Sequence, residues 1–176
     1  SEIGYHGCPG RSSLERMMGG PVPWPGEGDE LWRAKAVCPH PNHHDYDYRI
    51  ALMGKQVAVL FGRMPDGLDD FALASQIVQA EALKFFLDRW RSGKWRRTGM
   101  LWWNLLDGWP IISDAIVDFY GRRKLAYEYL RRQQADVCAI VREAGEGAPG
   151  GGSGQAGQAG WHELVVVNDT LAAELD

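Results

Sequence analysis

Two stretches of this chain carry the side chains best suited to chemistry. The first is Ser1-Glu2-Ile3-Gly4-Tyr5-His6-Gly7, a glutamate on a short segment that runs into glycine. The second, far along the chain, is Leu101-Trp102-Trp103-Asn104-Leu105-Leu106-Asp107-Gly108-Trp109-Pro110. Indole rings stack on the apolar faces of sugars, amide and carboxylate groups hold hydroxyls in fixed directions, and a glycosidic bond is broken by paired carboxyl groups. Together the stretches have the composition of one half of a sugar-cleaving pocket.

Elements must hold these groups in place. Residues 69–91 have a helical period: Phe71, Ala74, Ile77, Val78, Ala82 and Phe85 form the inward face, Gln76, Gln79, Lys84 and Asp88 the solvent side, Asp69 or Asp70 the cap, and Gly93 the terminator. The apolar run 99–103 is short enough for a buried strand. A second apolar stretch, 115–119, leads through Gly121 into a helix over 123–133 with Leu125, Tyr129 and Leu130 (or Ala126) inward. If residues 1–4 end an earlier strand, the order is strand, helix, strand, helix. In such α/β architectures catalytic groups sit at the carboxyl ends of strands, so Glu2 and segment 103–107 would open onto one face.

Between Gly4 and Asp69 lies an insert rich in Pro, Gly, Trp and His, including Pro21-Val22-Pro23-Trp24-Pro25-Gly26. It reads as a long irregular loop, a candidate lid or subsite wall. Beyond Gln133, residues 137–141 and 161–167 read as two strands on either side of a Gly/Ala/Ser/Gln linker at 145–160. Two strands make no stable sheet alone, so 135–176 reads as the beginning of a sandwich domain.

The 176 residues are room for one domain of ordinary size, and 45% hydrophobic content suits a globular core. With 19 basic and 23 acidic residues the net charge is −4, which offers no general attraction to nucleic acid or to an anionic membrane. No apolar run approaches the roughly 20 residues of a membrane span. Cys8, Cys38 and Cys138 form no disulfide framework and fit a reducing compartment slightly better; localisation stays open. The chain starts with Ser1 immediately before Glu2, and both ends read as cut from a longer protein.

Other motifs have plainer readings. Cys38, His40, His43, His44 and Asp45 include zinc-type ligands, yet their spacing fits no standard pattern, and no metal site is assigned. Gly152-Ser153-Gly154-Gln155-Ala156-Gly157 has dinucleotide-motif spacing but opens no helix, so it is linker, and no cofactor is expected. Basic residues near Trp90 and Trp95 belong to a helix end. Asn168-Asp169-Thr170 fits a glycosylation acceptor or a turn. By position alone Glu2 is a solvated terminal carboxylate as readily as a catalytic one, and Trp102 and Trp103, alternating across a strand, divide into one core and one pocket residue; Trp103 is the pocket choice.

The first four residues, segment 101–110, and Ser113-Asp114-Ala115-Ile116-Val117-Asp118-Phe119-Tyr120-Gly121-Arg122-Arg123-Lys124 together resemble glycoside hydrolase family 2, and within it the β-mannosidase-like branch. The resemblance runs over residues 1–133, and 164–170 is similar to the start of the following sandwich. It implies a retaining exo-β-glycosidase. The fold implied is α/β, with 1–134 the C-terminal part of a TIM (β/α)8 barrel (strands 7 and 8 with their helices) and 135–176 the truncated start of an immunoglobulin-like β-sandwich.

The resemblance also implies roles. Glu2 matches the nucleophile, Trp103 the aromatic floor of the sugar subsite, Asn104 a position often held by glutamine, and Asp107 and Trp109 the loop beyond. A nucleophilic glutamate must stay ionised, while an acid about 5–5.5 Å away protonates the leaving oxygen. The family's acid/base glutamate follows an asparagine, and this chain has no Asn-Glu pair. The expected partners are therefore a carbohydrate non-reducing end, a β-mannoside by weak preference, and the remainder of the barrel, without which the chain is expected to be inert. A binding protein that keeps the aromatic pocket without catalysis is the alternative.

Overall fold

The structure, a computed structural model, describes residues 2–24, 29–36, 49–142 and 162–170. In chain order the elements are β1 (Glu2–Gly4), α1 (Arg11–Met18), α2 (Glu30–Ala36), α3 (Arg49–Phe61), α4 (Leu68–Arg91), β2 (Leu101–Trp103), α5 (Leu125–Gln133), β3 (Val137–Arg142) and β4 (Glu163–Asn168).

β1 and β2 pair in parallel, with Glu2 opposite Leu101, Ile3 opposite Trp102 and Gly4 opposite Trp103. Side chains alternate across a strand, and burial divides them cleanly. Ile3 and Trp102 pack on a cluster of Ala80, Leu83, Leu87, Ile116, Ala126 and Leu130, which joins the pair to α4 and α5. Glu2, Gly4, Leu101 and Trp103 are left on the exposed face.

The described part of the insert after Gly4 contains three helices, α1, α2 and α3, which corrects the reading of an irregular loop. Leu14 and Met17 of α1, Trp32 and Ala36 of α2, and Ile50, Met53 and Val57 of α3 share a core with Leu68, Phe71, Ala74 and Val78 of α4. Trp24 and Trp32 pack against Phe71, Trp24 tilted with ring centroids 4.7 Å apart and Trp32 edge-on. Local signals are present: Asp29 caps α2, its Oδ1 accepting from the amides of Leu31 and Trp32, and Gly19 ends α1 at a φ of 77°, a conformation open to glycine. Pro and Gly on either side of α1 and α2 concealed those two short helices, and α1, α2 and α3 all share a core with α4.

α4 begins one residue before the expected start, and its N-cap is Gly67 with no side-chain bond. Asp69 is instead held by Arg11 at 2.9 Å. Two further corrections concern its faces. Gln79 and Asp88, expected in solvent, are buried, whereas Phe85 is exposed. Residues 115–119 form no strand; Val117 makes only isolated bridges to Leu106 and Arg123. α5 matches its expected span closely, with Ala126 and Leu130 buried.

β3 and β4 form an antiparallel pair from Val137 opposite Asn168 to Arg142 opposite Glu163. The pair is fastened to the end of α4: Asp169 accepts from Arg91 at 2.7 Å and from Lys94 at 2.5 Å, and the Lys94 ammonium also donates to the Asn168 carbonyl at 2.6 Å. These contacts use two of the cations near Trp90, and Arg97 lies over the Trp90 ring. Asn168 Oδ1 accepts from the amide and hydroxyl of Thr170, which makes 168–170 a side-chain-capped turn. The linker at 145–160 lies outside the described residues.

Candidate active site

The carboxyl ends of β1 and β2 lead into two loops, 5–10 and 104–118, that run side by side. Two buried polar side chains, Gln79 and Lys124, hold them together, and a third, Asp118, ties the end of the second loop to α1. Gln79 of α4 is fully buried, and its Nε2 donates to the Tyr5 and Asp114 carbonyl oxygens, each at 2.8 Å. Lys124, just before α5, donates from Nζ to the Gly7 carbonyl at 2.7 Å and to that of Ser113 at 3.2 Å. Asp118 caps the turn before it, accepting from the amides of Tyr120 and Arg122 and from the Ser13 hydroxyl of α1. The loops have carbonyl groups buried beyond the reach of any sheet, and side-chain donors are the remaining way to satisfy them.

Gly7 is a consequence of that packing. A Cβ built there would lie 2.2 Å from Gln79 Oε1. The backbone can approach the helix only without a side chain.

Among the sequence-expected site residues, Glu2 and Trp103 share the exposed face, Trp103 retaining 56% of its surface. The Trp103-Asn104 peptide is cis. Asn104 follows at the strand end, half-buried, with Nδ2 3.5 Å from the Leu106 carbonyl and Oδ1 buried without a hydrogen-bond partner. Asp107 is buried; the Ser113 hydroxyl donates to its Oδ1, and its Oδ2 is unpartnered. Trp109 is half-buried in the same loop.

Electrostatics distinguish the carboxyls and the imidazole. Burial pushes Asp107 and Asp114 above the usual carboxylate range, with Lys124 and Arg49 acting the other way. Burial, aided by Arg49 and Lys124, lowers His6 to about 4, so it is neutral at physiological pH. His6 Nε2 lies 3.2 Å from Asp114 Oδ1, yet the geometry makes no hydrogen bond, and both atoms are buried. Burial also lowers Lys124, against the pull of Asp107, Cys8, Asp114 and Asp118. The fully buried Cys8 thiol is pushed up to about 12, which makes it inert packing.

Sequence reasoning passed over Gln79, Lys124, His6 and Ser113 as working parts. Their signal was indirect: Gly4 and Gly7 mark a close backbone approach, which requires donors nearby. Among the described residues no cluster of His, Cys, Asp and Glu could hold a metal, and Cys38, His40, His43, His44 and Asp45 lie outside them. A separate cavity of about 450 Å³ opens at the opposite end of β2, among Trp90, Lys94, Trp95, Met100 and Val167.

No family model matches the chain. The chain is similar to Beta-mannosidase B of Thermothelomyces thermophilus, 38% identical over 79 residues that cover 42% of this chain and 9% of that protein. It is also similar to Beta-mannosidase B of Aspergillus niger, 32% identical over 145 residues, 81% of this chain and 16% of that protein. The chain thus spans a small part of the length of the curated relatives it matches. In fold it is similar to the crystal structure of Beta-D-Mannosidase from Dictyoglomus thermophilum, with a TM-score of 0.68, 21% identity, and coverage of 97% of this chain and 18% of that one. Over most of its length in sequence, and in its α/β fold, the chain resembles the β-mannosidase-like branch of glycoside hydrolase family 2.

Proposed function

We propose that this chain is part of a retaining exo-β-glycosidase that removes terminal β-linked sugars, β-mannosides in preference, with Glu2 as nucleophile. In this reading residues 1–134 are the last two strand-helix units of a TIM barrel and 135–176 begin an immunoglobulin-like β-sandwich. The observation that carries the proposal is the parallel β1–β2 pair: one face is packed on α4 and α5, and the other presents Glu2 and Trp103 together. Barrel strands have that division, helices outside and catalytic groups at the carboxyl ends inside. The names of the relatives point to the same substrate class.

Glu2 would attack the anomeric carbon while Trp103 stacks on the sugar and Asn104 accepts or donates to its hydroxyls; Asp107 and Trp109 would shape the loop over it. The acid that protonates the leaving oxygen comes from elsewhere in the longer protein, so the 176-residue polypeptide alone turns over no aryl β-glycoside.

The test is Glu2→Gln in the full-length protein. Hydrolysis of an aryl β-mannoside falls by at least about a thousandfold, while binding of the glycoside persists, because the isosteric amide cannot form the covalent intermediate. Unchanged hydrolysis would remove Glu2 from the mechanism. A 2-deoxy-2-fluoro-mannosyl fluoride should label the peptide containing Glu2.

A further inference from the structure

Asp114 stands closer to the pocket face than its loop position suggests. Gly4 ends β1 on the same side as Glu2, and a Cβ built on it would lie 3.0 Å from Asp114 Oδ2 and 3.3 Å from the Trp103 carbonyl oxygen. The Asp114 carboxyl therefore covers Gly4 on the face that carries Glu2 and Trp103. Two residues along a strand separate it from the level of Glu2, roughly 7 Å.

Its backbone is fixed, because Gln79 holds the Asp114 and Tyr5 carbonyls with one amide group. Its carboxyl is not consumed by the fold. The side chain is 15% exposed, and Oδ1 faces His6 Nε2 at 3.2 Å without a hydrogen bond on either atom. Asp107 differs: it is 4% exposed and receives the Ser113 hydroxyl. A rigid, partly desolvated acceptor with spare capacity is the kind of group that discriminates between a sugar bearing a given hydroxyl and one lacking it.

We propose that Asp114 is a substrate-contacting, specificity-determining residue that accepts a hydrogen bond from a hydroxyl of the sugar stacked on Trp103, with His6 packed against its other oxygen. This rests on the glycosidase reading above.

The experiment uses the full-length protein, 4-nitrophenyl β-D-mannopyranoside and its monodeoxy analogues at each ring hydroxyl and at C6. Asp114→Asn should lower kcat/KM on the parent glycoside at least tenfold with a melting temperature within about two degrees of wild type. On one deoxy analogue the wild-type to variant ratio should collapse to near one, since the contacted hydroxyl is gone. A ratio that is the same for every analogue, or within twofold on the parent, overturns the proposal, because a structural role does not depend on which hydroxyl is removed. Asp114→Ser carries the same comparison if the asparagine variant does not fold. Glu2→Gln separates the two readings: intact hydrolysis in that variant defeats the glycosidase assignment itself, whereas abolished hydrolysis with no hydroxyl-specific loss at Asp114 defeats only this inference.

Discussion

The Lys124 ammonium donates to the Gly7 carbonyl oxygen at 2.7 Å, and so ties the chain that leaves Glu2 to the turn that precedes α5. The same nitrogen reaches the Ser113 carbonyl at 3.2 Å, in the loop that follows Trp103. One buried cation thus sets the spacing of both candidate site segments. Lys124→Met keeps the volume but leaves the buried Gly7 and Ser113 carbonyls without their donor and removes a cation that Asp107, Asp114 and Asp118 feel. It should cost about 2–4 kcal/mol in urea unfolding; an unchanged midpoint would show that the cation is dispensable.

Gly7→Ala should destabilise by roughly 2–4 kcal/mol, because the methyl would displace Gln79 and break its two bonds to Tyr5 and Asp114. Gly99→Ala, where an added Cβ meets nothing within 4 Å, is the control and should change stability by less than about 1 kcal/mol. Equal effects from the two substitutions would rule out the clash with Gln79.

Trp102 and Trp103 should separate in the same measurement. Trp102→Ala opens a hole in the cluster between β2 and the helices and should cost about 3–5 kcal/mol. Trp103→Ala should cost under about 1 kcal/mol and instead weaken sugar binding by tenfold or more in the full-length protein, read by calorimetry. Loss of stability without loss of binding in the second variant would assign Trp103 to the core.

The pH dependence of stability follows from His6. Its folded value of about 4 lies below the ordinary 6.5, so between these limits the unfolded chain binds a proton that the folded chain refuses. Stability is therefore complete above pH 6.5 and declines as pH falls toward 4, by about 3 kcal/mol at most from this group. Asp107 and Asp114 act oppositely near the lower end, since their raised values favour proton uptake by the folded state. His6→Gln should flatten the change in urea midpoint between pH 7 and 5. The same slope in wild type and variant would assign the effect to other groups.

Asp169 fastens the β3–β4 pair to α4, and its carboxyl is held below the usual range by the hydrogen bonds from Lys94 and Arg91. Asp169→Ala should speed amide exchange across Val137–Arg142 and Glu163–Asn168 more than across α4. Uniform protection would mean the hairpin is held by its apolar contacts alone.

How much of this was legible depends on whether the signal was local. α4, α5, β2 and the β3–β4 strands announce themselves by period and by their bounding residues, because each buries a face defined within its own sequence. The helices of the insert do not, since α2 and α3 are stabilised by Trp32 and Met53 meeting Phe71 and its neighbours far along the chain. Gln79 and Asp88 read as solvent-facing in the sequence because polar residues between apolar ones usually face water. Gln79 is inside because carbonyls of two distant loops need its amide. The parallel register that sets Glu2 beside Leu101 depends on α4 crossing over between the strands, and no pattern within either strand encodes it.

The parallel β1–β2 pair has a consequence for handling. Among the described residues each strand has one neighbour, so its far edge offers free amides and carbonyls, and Leu101 and Trp103 make the uncovered face greasy. Parallel sheets occur almost only with both faces covered. A solution of the isolated polypeptide should therefore self-associate as its concentration rises, by edge pairing and by contact through that face. Light scattering on a dilution series, with Leu101→Lys as the comparison, would register this stickiness directly.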